Sequence, residues 1–326
     1  MAEHPFTGGA RPIVLDGGLA TELEARGHDL SGALWSARLL ADDPEAVVAA
    51  HRAFFAAGAD VATTASYQAS FSGFAAAGIG PAETARLLRR SVALARRAAE
   101  LPGDDGAPAD GRQDGARRHG RHDGDAGAGR RRWVAASVGP YGAALADGSE
   151  YRGRYGLGAA ALADWHRPRL EVLAGAGPDL LACETVPDAV EAEALVAALD
   201  GLAVPAWVSY SIAGGRTRAG QPLAGAFAVL ADAPQVVAVG VNCCDPADVG
   251  PAIAVARVVT GKPVVAYPNS GEGWDATARR WTGRSRFTAA AAADWIGRGA
   301  AGVGGCCRVG PADLAAVAQA LGGPER

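Results

Sequence analysis

Five cysteines occur in this 326-residue chain, and four of them stand in two adjacent pairs, Cys243 and Cys244 in "VNCC" and Cys306 and Cys307 in "GVGGCC". Adjacent cysteines do not easily close a relaxed disulfide on each other, and they do not match the C-x-x-C spacing of redox centres, so metal ligation is the first chemistry to test. Zinc suits such a set, because it takes thiolates in a tetrahedron, and a catalytic zinc uses three protein ligands and leaves the fourth position to water or substrate. With three thiolates bound, the ion is a poor generator of hydroxide, yet it can still bind an incoming thiol and hold it deprotonated at neutral pH. The implied reaction is attack of a substrate thiolate on an electrophilic carbon. Cys243, Cys306 and Cys307 are the candidate ligands. The rival reading is a structural or redox-sensing metal site without turnover, with Cys244 available as a fourth ligand.

Asp16 in "VLDGG" and Glu184 in "LACET" are the second informative pair. Carboxylates at the ends of apolar strands are costly to desolvate unless a cation meets them, and a substrate ammonium would do so. A turn-capping role for Asp16 and an arginine partner for Glu184 are the structural alternatives. Cys183, just before Glu184, reads as a packing residue.

These residues need elements to carry them to one place. Eight short apolar segments read as buried parallel strands, at 12–17, 60–66, 133–139, 179–185, 205–211, 236–243, 263–269 and 301–306. Alanine-rich stretches of helical spacing lie between them, such as "DPEAVVAAHRAFFAAG" and "PAETARLLRRSVALARRAAE". Strand and helix alternating in this way predict a single-domain (β/α)8 TIM barrel, in which reacting residues sit at the C-terminal ends of the strands. Those ends collect Asp16, Gly17, Thr63, Thr64, Ser66, Glu184, Tyr210, Asn242, Cys243, Asn269, Cys306 and Cys307 at one mouth. Between the second helix and the third strand, residues 102–132 lose apolar character to glycine, aspartate and arginine, which predicts a low-complexity, disordered insertion at the bottom face.

The chain is 49% hydrophobic with a formal charge of −4, enough for a full core and without the basic surplus that nucleic acid or an acidic membrane would call for. The N-terminus lacks the apolar centre of a signal peptide, and no run reaches the roughly 18 apolar residues of a membrane span, so a cytoplasmic location is expected. Thiols stay reduced there, which favours cysteines as ligands or packing residues over a disulfide framework.

Seven segments, taken in order, carry a resemblance: "VLDGGLATELEARGHDLSGALWSARLL", "HRAFFAAGADVATTASYQASFSGF", "SVGPYGAALADGSEYRGRYG", "LLACETVPDAVEAEAL", "VGVNCCDP", "VAYPNSGEGWD" and "GVGGCCRVGPADL". Over nearly the whole chain they resemble the homocysteine S-methyltransferase family, and most closely its stand-alone S-methylmethionine-type members. The resemblance implies zinc-dependent methyl transfer to L-homocysteine, giving methionine, on a (β/α)8 barrel. It places Cys243, Cys306 and Cys307 on the zinc-ligand positions and Asp16 and Glu184 on those that hold the homocysteine amino group. Gly17 and Ser66 fall in the segments that receive the carboxylate, and Asn242 joins the substrate-binding set. Cys244 departs from the threonine or serine usual there, which leaves a ligand switch with Cys243 open. The expected donor is a small cation, S-methylmethionine or S-adenosylmethionine, with betaine- and selenocysteine-type members of the family as alternatives. Trp35, Tyr67, Tyr141, Glu272 and Trp274 are candidates to receive that cation.

Overall fold

The computed structural model describes residues 3–8, 11–30, 36–101, 130–275 and 280–322. Its centre is a sheet of eight parallel strands: β1 (Ile13–Val14), β2 (Val61–Thr63), β3 (Trp133–Val138), β4 (Leu180–Val186), β5 (Ala206–Tyr210), β6 (Val236–Asn242), β7 (Val264–Tyr267) and β8 (Ala300–Val303). Each overlaps one of the eight expected segments. The strands pair in the order β1-β8-β7-β6-β5-β4-β3-β2. The remaining seam, between β1 and β2, is joined by a parallel bridge from Leu15 to Val61 and by the Asp60 amide donating to the Val14 carbonyl at 2.7 Å. With helices between the strands, this is the expected (β/α)8 barrel.

Helix starts are written locally. Asp43 and Asp245 each precede a proline and cap the helices Pro44–Ala56 and Pro246–Thr260, accepting from the Ala46 and Ala247 amides. A capping carboxylate followed by proline at the first helical position satisfies one exposed amide and removes another. Among the described residues no helix is long and apolar enough to cross a membrane.

Alternation along the strands separates two cores. Leu180 and Ala182 of β4, Trp133 and Ala135 of β3, and Val265 and Tyr267 of β7 fill the barrel interior, whereas Leu181, Cys183, Val134, Val264 and Ala266 pack under the helices. The same period of two then turns Ser137 and Glu184 inward at the upper ends of their strands.

Residues 102–129 lie outside the described residues. Residues 130–132, expected to belong to the same disordered run, differ from that expectation because three successive arginines find fixed acceptors. Arg130 pairs with Asp60, Arg131 with Glu3, and Arg132 donates to the Ala99 and Leu101 carbonyls at 3.2 and 2.8 Å.

Asp60 closes the lower end of the barrel. It is fully buried, accepts from Arg11 at 2.7 and 2.9 Å, from Arg130, and from the Val14 amide at 2.8 Å. Burial pushes its carboxyl up, but the hydrogen bonds from Arg11, Arg130 and Val14 outweigh this and hold it below the ordinary carboxylate value. Its contribution to stability is thus present at neutral pH and lost as pH falls through the lowered value. Asp60→Ala is expected to cost about 2–4 kcal/mol in denaturant unfolding at pH 7, against less than about 1 kcal/mol for the half-exposed Arg11→Ala. The gap between D60A and wild type should narrow on acidification; a gap independent of pH would show that the carboxylate charge is not what holds the seam.

Candidate active site

The two cysteine turns leave β6 and β8, and β7 lies between these strands in the sheet. The segment after β7 splints them. The Cys243 amide donates to the Tyr267 carbonyl at 3.3 Å and Asn269 N to the Cys244 carbonyl at 3.0 Å. On the other side, Cys306 N donates to Pro268 O at 2.8 Å, Ser270 N to Cys307 O at 3.0 Å and Cys307 N to Asn269 Oδ1 at 3.2 Å. The Sγ atoms of Cys243, Cys306 and Cys307 all come within 4.8 Å of one another. Cys243 adopts a left-handed φ of +46°, uncommon outside glycine, with its thiol at the mouth, while Cys244 is buried in the outer core. Cys183 is also in the outer core, where burial pushes its thiol up to about 12.

Cys243 and Cys306 are joined as a disulfide, with Cα atoms 5.6 Å apart, while Cys307 is free. The bond joins two of the three expected ligands, a pair far apart in sequence that the splint brings together. Once that bond is reduced, three sulfurs face one point. A tetrahedral zinc with bonds near 2.3 Å needs sulfurs about 3.8 Å apart, within the span of this cluster. Burial pushes the Cys307 thiol up to about 11, so a cation is what would hold it as thiolate at neutral pH. The donor set therefore fits a soft divalent metal.

Beside the sulfurs stand two buried carboxyls. Asp16 accepts from the Thr63 amide at 2.7 Å and from Thr63 Oγ1 at 2.9 Å, and Glu184 accepts from the Ser137 and Tyr267 hydroxyls. Burial pushes Asp16 up to about 8 despite its bonds to Thr63, with the Glu184 charge adding to the rise, and burial takes Glu184 to about 7. Near neutral pH both carboxyls are held at the point where an approaching cation would ionise them.

The other expected residues divide. Gly17 lines the mouth, and an added Cβ there would meet the Val309 carbonyl oxygen at 2.5 Å and the Phe54 ring at 2.7 Å, so no side chain fits. Asn242 also lines it, with its amide engaged: its Oδ1 accepts from Thr185 N at 2.7 Å and Ser209 Oγ at 2.9 Å, and its Nδ2 donates to Thr185 Oγ1 at 2.8 Å. This clamp holds Thr185 at φ +61°, a strained conformation for a β-branched residue. Ser66 is set behind the wall, donating to the Ser137 carbonyl and bonded to Thr64 Oγ1, both at 2.7 Å. Tyr210 points away from the mouth, its hydroxyl donating to Ala226 O at 2.8 Å, because the inward position on β5 is Ser209. Of the candidate cation receivers, Tyr67 lines the mouth, Tyr141 packs between Tyr155 and Trp165, and Glu272 pairs with Arg308 at 3.1 Å. Trp35 and the side chain of Trp274 lie outside the described residues.

Ser137, Tyr267, Glu150 and Tyr151 line the same cavity and were not singled out from sequence. Period-two counting from the inward Ala135 and Val265 finds the first two. Glu150 and Tyr151 sit in the loop after β3, where no periodicity points to them.

Three cysteine sulfurs and two buried carboxyls thus meet at the C-terminal face of a parallel barrel, where enzymes of this fold keep their active sites. The homocysteine S-methyltransferase family pattern matches residues 13–321. Homocysteine S-methyltransferase YbgG of Bacillus subtilis is 40% identical over 310 residues, covering 94% of this chain and 93% of its own. Among solved structures, the metallated form of the homocysteine methyltransferase MmuM from Escherichia coli has a TM-score of 0.80 at 40% identity, covering 97% of this chain and 99% of its own. The oxidized form of MmuM has a TM-score of 0.79 with the same coverage. The chain belongs to the homocysteine S-methyltransferase family, and methyl transfer to homocysteine is its reaction class.

Reduced protein is expected to take up a single zinc ion, measured by elemental analysis after desalting. Cys306→Ser and Cys307→Ser should each abolish retention while the barrel stays folded, whereas Cys244→Ser should retain the metal and lose only about 1–2 kcal/mol of stability from a hydroxyl placed in an apolar core. Metal retained in Cys243→Ser and lost in Cys244→Ser would reverse the ligand assignment.

Proposed function

We propose that this protein transfers a methyl group from a sulfonium donor, S-methylmethionine or S-adenosylmethionine, to L-homocysteine held at a zinc ion on Cys243, Cys306 and Cys307. The observation that carries the reading is the convergence of these three sulfurs with Asp16 and Glu184 in one cavity. Zinc, when bound, supplies the charge that keeps a thiol substrate ionised at neutral pH. Asp16 and Glu184 receive the homocysteine ammonium, Asp16 oriented by the Thr63 amide and hydroxyl and Glu184 by the Ser137 hydroxyl, and both carboxyls line the cavity. Gly17 offers its backbone at the cavity wall to the substrate carboxylate, its missing side chain being required by Phe54 and Val309 behind it, and Ser66 serves that end through Thr64, which lines the cavity. Asn242 contributes by holding Thr185 in place. The homocysteine-binding unit is the single barrel, which the described chain leaves at Leu101 and rejoins at Arg130. A panel of S-methylmethionine, S-adenosylmethionine and betaine with homocysteine, followed by mass detection of methionine and of the spent donor, tests the donor; turnover with betaine alone would replace the sulfonium reading.

Glu184→Gln keeps the volume and one acceptor oxygen but removes the compensating charge. Homocysteine affinity is expected to fall about ten- to hundredfold, the worth of a charge-assisted hydrogen bond in a desolvated place, with zinc content unchanged. At pH 7 homocysteine binding should release protons, because a cation draws both raised carboxyls into their ionised form, and calorimetry in buffers of different ionisation heat should show less release in the variant. Loss of zinc in E184Q would instead make Glu184 a support of the metal.

Deleting 104–128 is expected to change turnover less than about twofold, since the chain leaves and rejoins the barrel at the end opposite the mouth. A large loss with an unchanged melting temperature would tie the insertion to the site.

A further inference from the structure

Glu150 has no part in the reading above, yet it lines the mouth with a carboxylate oxygen that lacks a hydrogen-bond partner. It lies in a one-turn 3-10 helix, Ser149–Tyr151, of the loop after β3 and is 7% exposed. Its Oε2 is buried without a hydrogen-bond partner, in the wall of the cavity that holds the cysteines. Tyr67, Tyr151 and Cys307 line the same cavity. Burial raises the Glu150 carboxyl, and the charge of Arg152, which is exposed and also pairs with Asp147 at 3.5 Å, offsets this only in part. A desolvated carboxylate with a free oxygen is costly unless a cation arrives, and the tyrosines beside it are side chains that receive cations well. Tyr151 is also a wall of a second, more open recess lined by Arg152, Arg154 and Arg218, with the Arg218 guanidinium 5.5 Å from the Tyr151 ring centroid. A ligand with a cation at its reacting end and a carboxylate farther out fits both hollows.

We propose that Glu150, with Tyr67 and Tyr151, is the subsite for the positive charge of the methyl donor, and that the arginine recess takes the donor's carboxylate. This rests on the zinc-thiolate reading above. In the transfer, a lone pair of the homocysteine thiolate forms the new sulfur–carbon bond while the electron pair of the breaking bond stays on the donor sulfur. Thiolate and sulfonium both become neutral thioethers. The attraction of Glu150 is therefore spent on the loaded donor and absent for the spent one, which promotes release of product after each turnover. Because positive charge is already full in the ground state and declines along the reaction, Glu150 governs donor binding more than the chemical step.

The test is Glu150→Gln in the zinc-loaded enzyme, with S-methylmethionine, S-adenosylmethionine and betaine as separate donor probes. For the donor that wild type uses, KM should rise about ten- to hundredfold with kcat within a few-fold, and calorimetry of that donor without homocysteine should show the same loss. Homocysteine affinity, zinc content and melting temperature should match wild type, and the affinity for methionine, a neutral thioether, should not change. An unchanged donor KM, or an equal loss of homocysteine affinity, overturns the assignment of Glu150 alone. A wild-type enzyme that binds zinc and homocysteine but accepts no cationic donor overturns the donor reading and this inference with it.

Discussion

Charge without water is the constraint on which this molecule turns. Asp16, Glu184 and the Cys307 thiol are gathered at a mouth so buried that each is pushed toward its neutral form. Their partners are hydroxyls and backbone amides: Thr63 for Asp16, Ser137 and Tyr267 for Glu184. Such donors orient a carboxylate but do not cancel its charge. In the proposed reading the site is completed by cations that come from outside the chain, a metal for the thiols and an ammonium for the acids. A thiol substrate carrying an amino group answers both needs at once, which is why homocysteine chemistry suits this constellation.

Holding that arrangement takes a framework that can bear strain. The segment 267–270 joins the two cysteine turns from the middle strand, so the sulfur cluster depends on β7 although β7 contributes no sulfur. Thr185 and Cys243, at the ends of β4 and β6, both carry left-handed backbone angles. Each such residue costs on the order of 1–3 kcal/mol, and the Asn242 amide repays part of that at Thr185 with two hydrogen bonds. The compensating stability sits at the opposite end, where Asp60 with Arg11 and Arg130, and Asp179 with Arg96 at 2.6 Å, tie the lower edges of the strands. Chemistry and stability thus occupy opposite faces of one barrel.

The sequence by itself determined the architecture and which candidate groups would meet at its mouth. Eight apolar segments separated by helical stretches specify a parallel barrel because each strand is buried on both faces and reads as a short, bounded run. The same rule places strand ends together, so the paired cysteines, Asp16 and Glu184 were legible as one site before any coordinates. Period two would also have found Ser137 and Tyr267 and excluded Tyr210. Only the tertiary structure decided which member of "NCC" faces the mouth, since a single left-handed residue at Cys243 sets that orientation and leaves no trace in the sequence. It also decided that Cys243 and Cys306 lie near enough to bond, that Ser66 acts from behind Thr64, and that Glu150 enters the cavity from a loop. These are contacts between residues far apart in the chain, fixed by packing and hydrogen bonding across strands, and no local pattern of residue types encodes them.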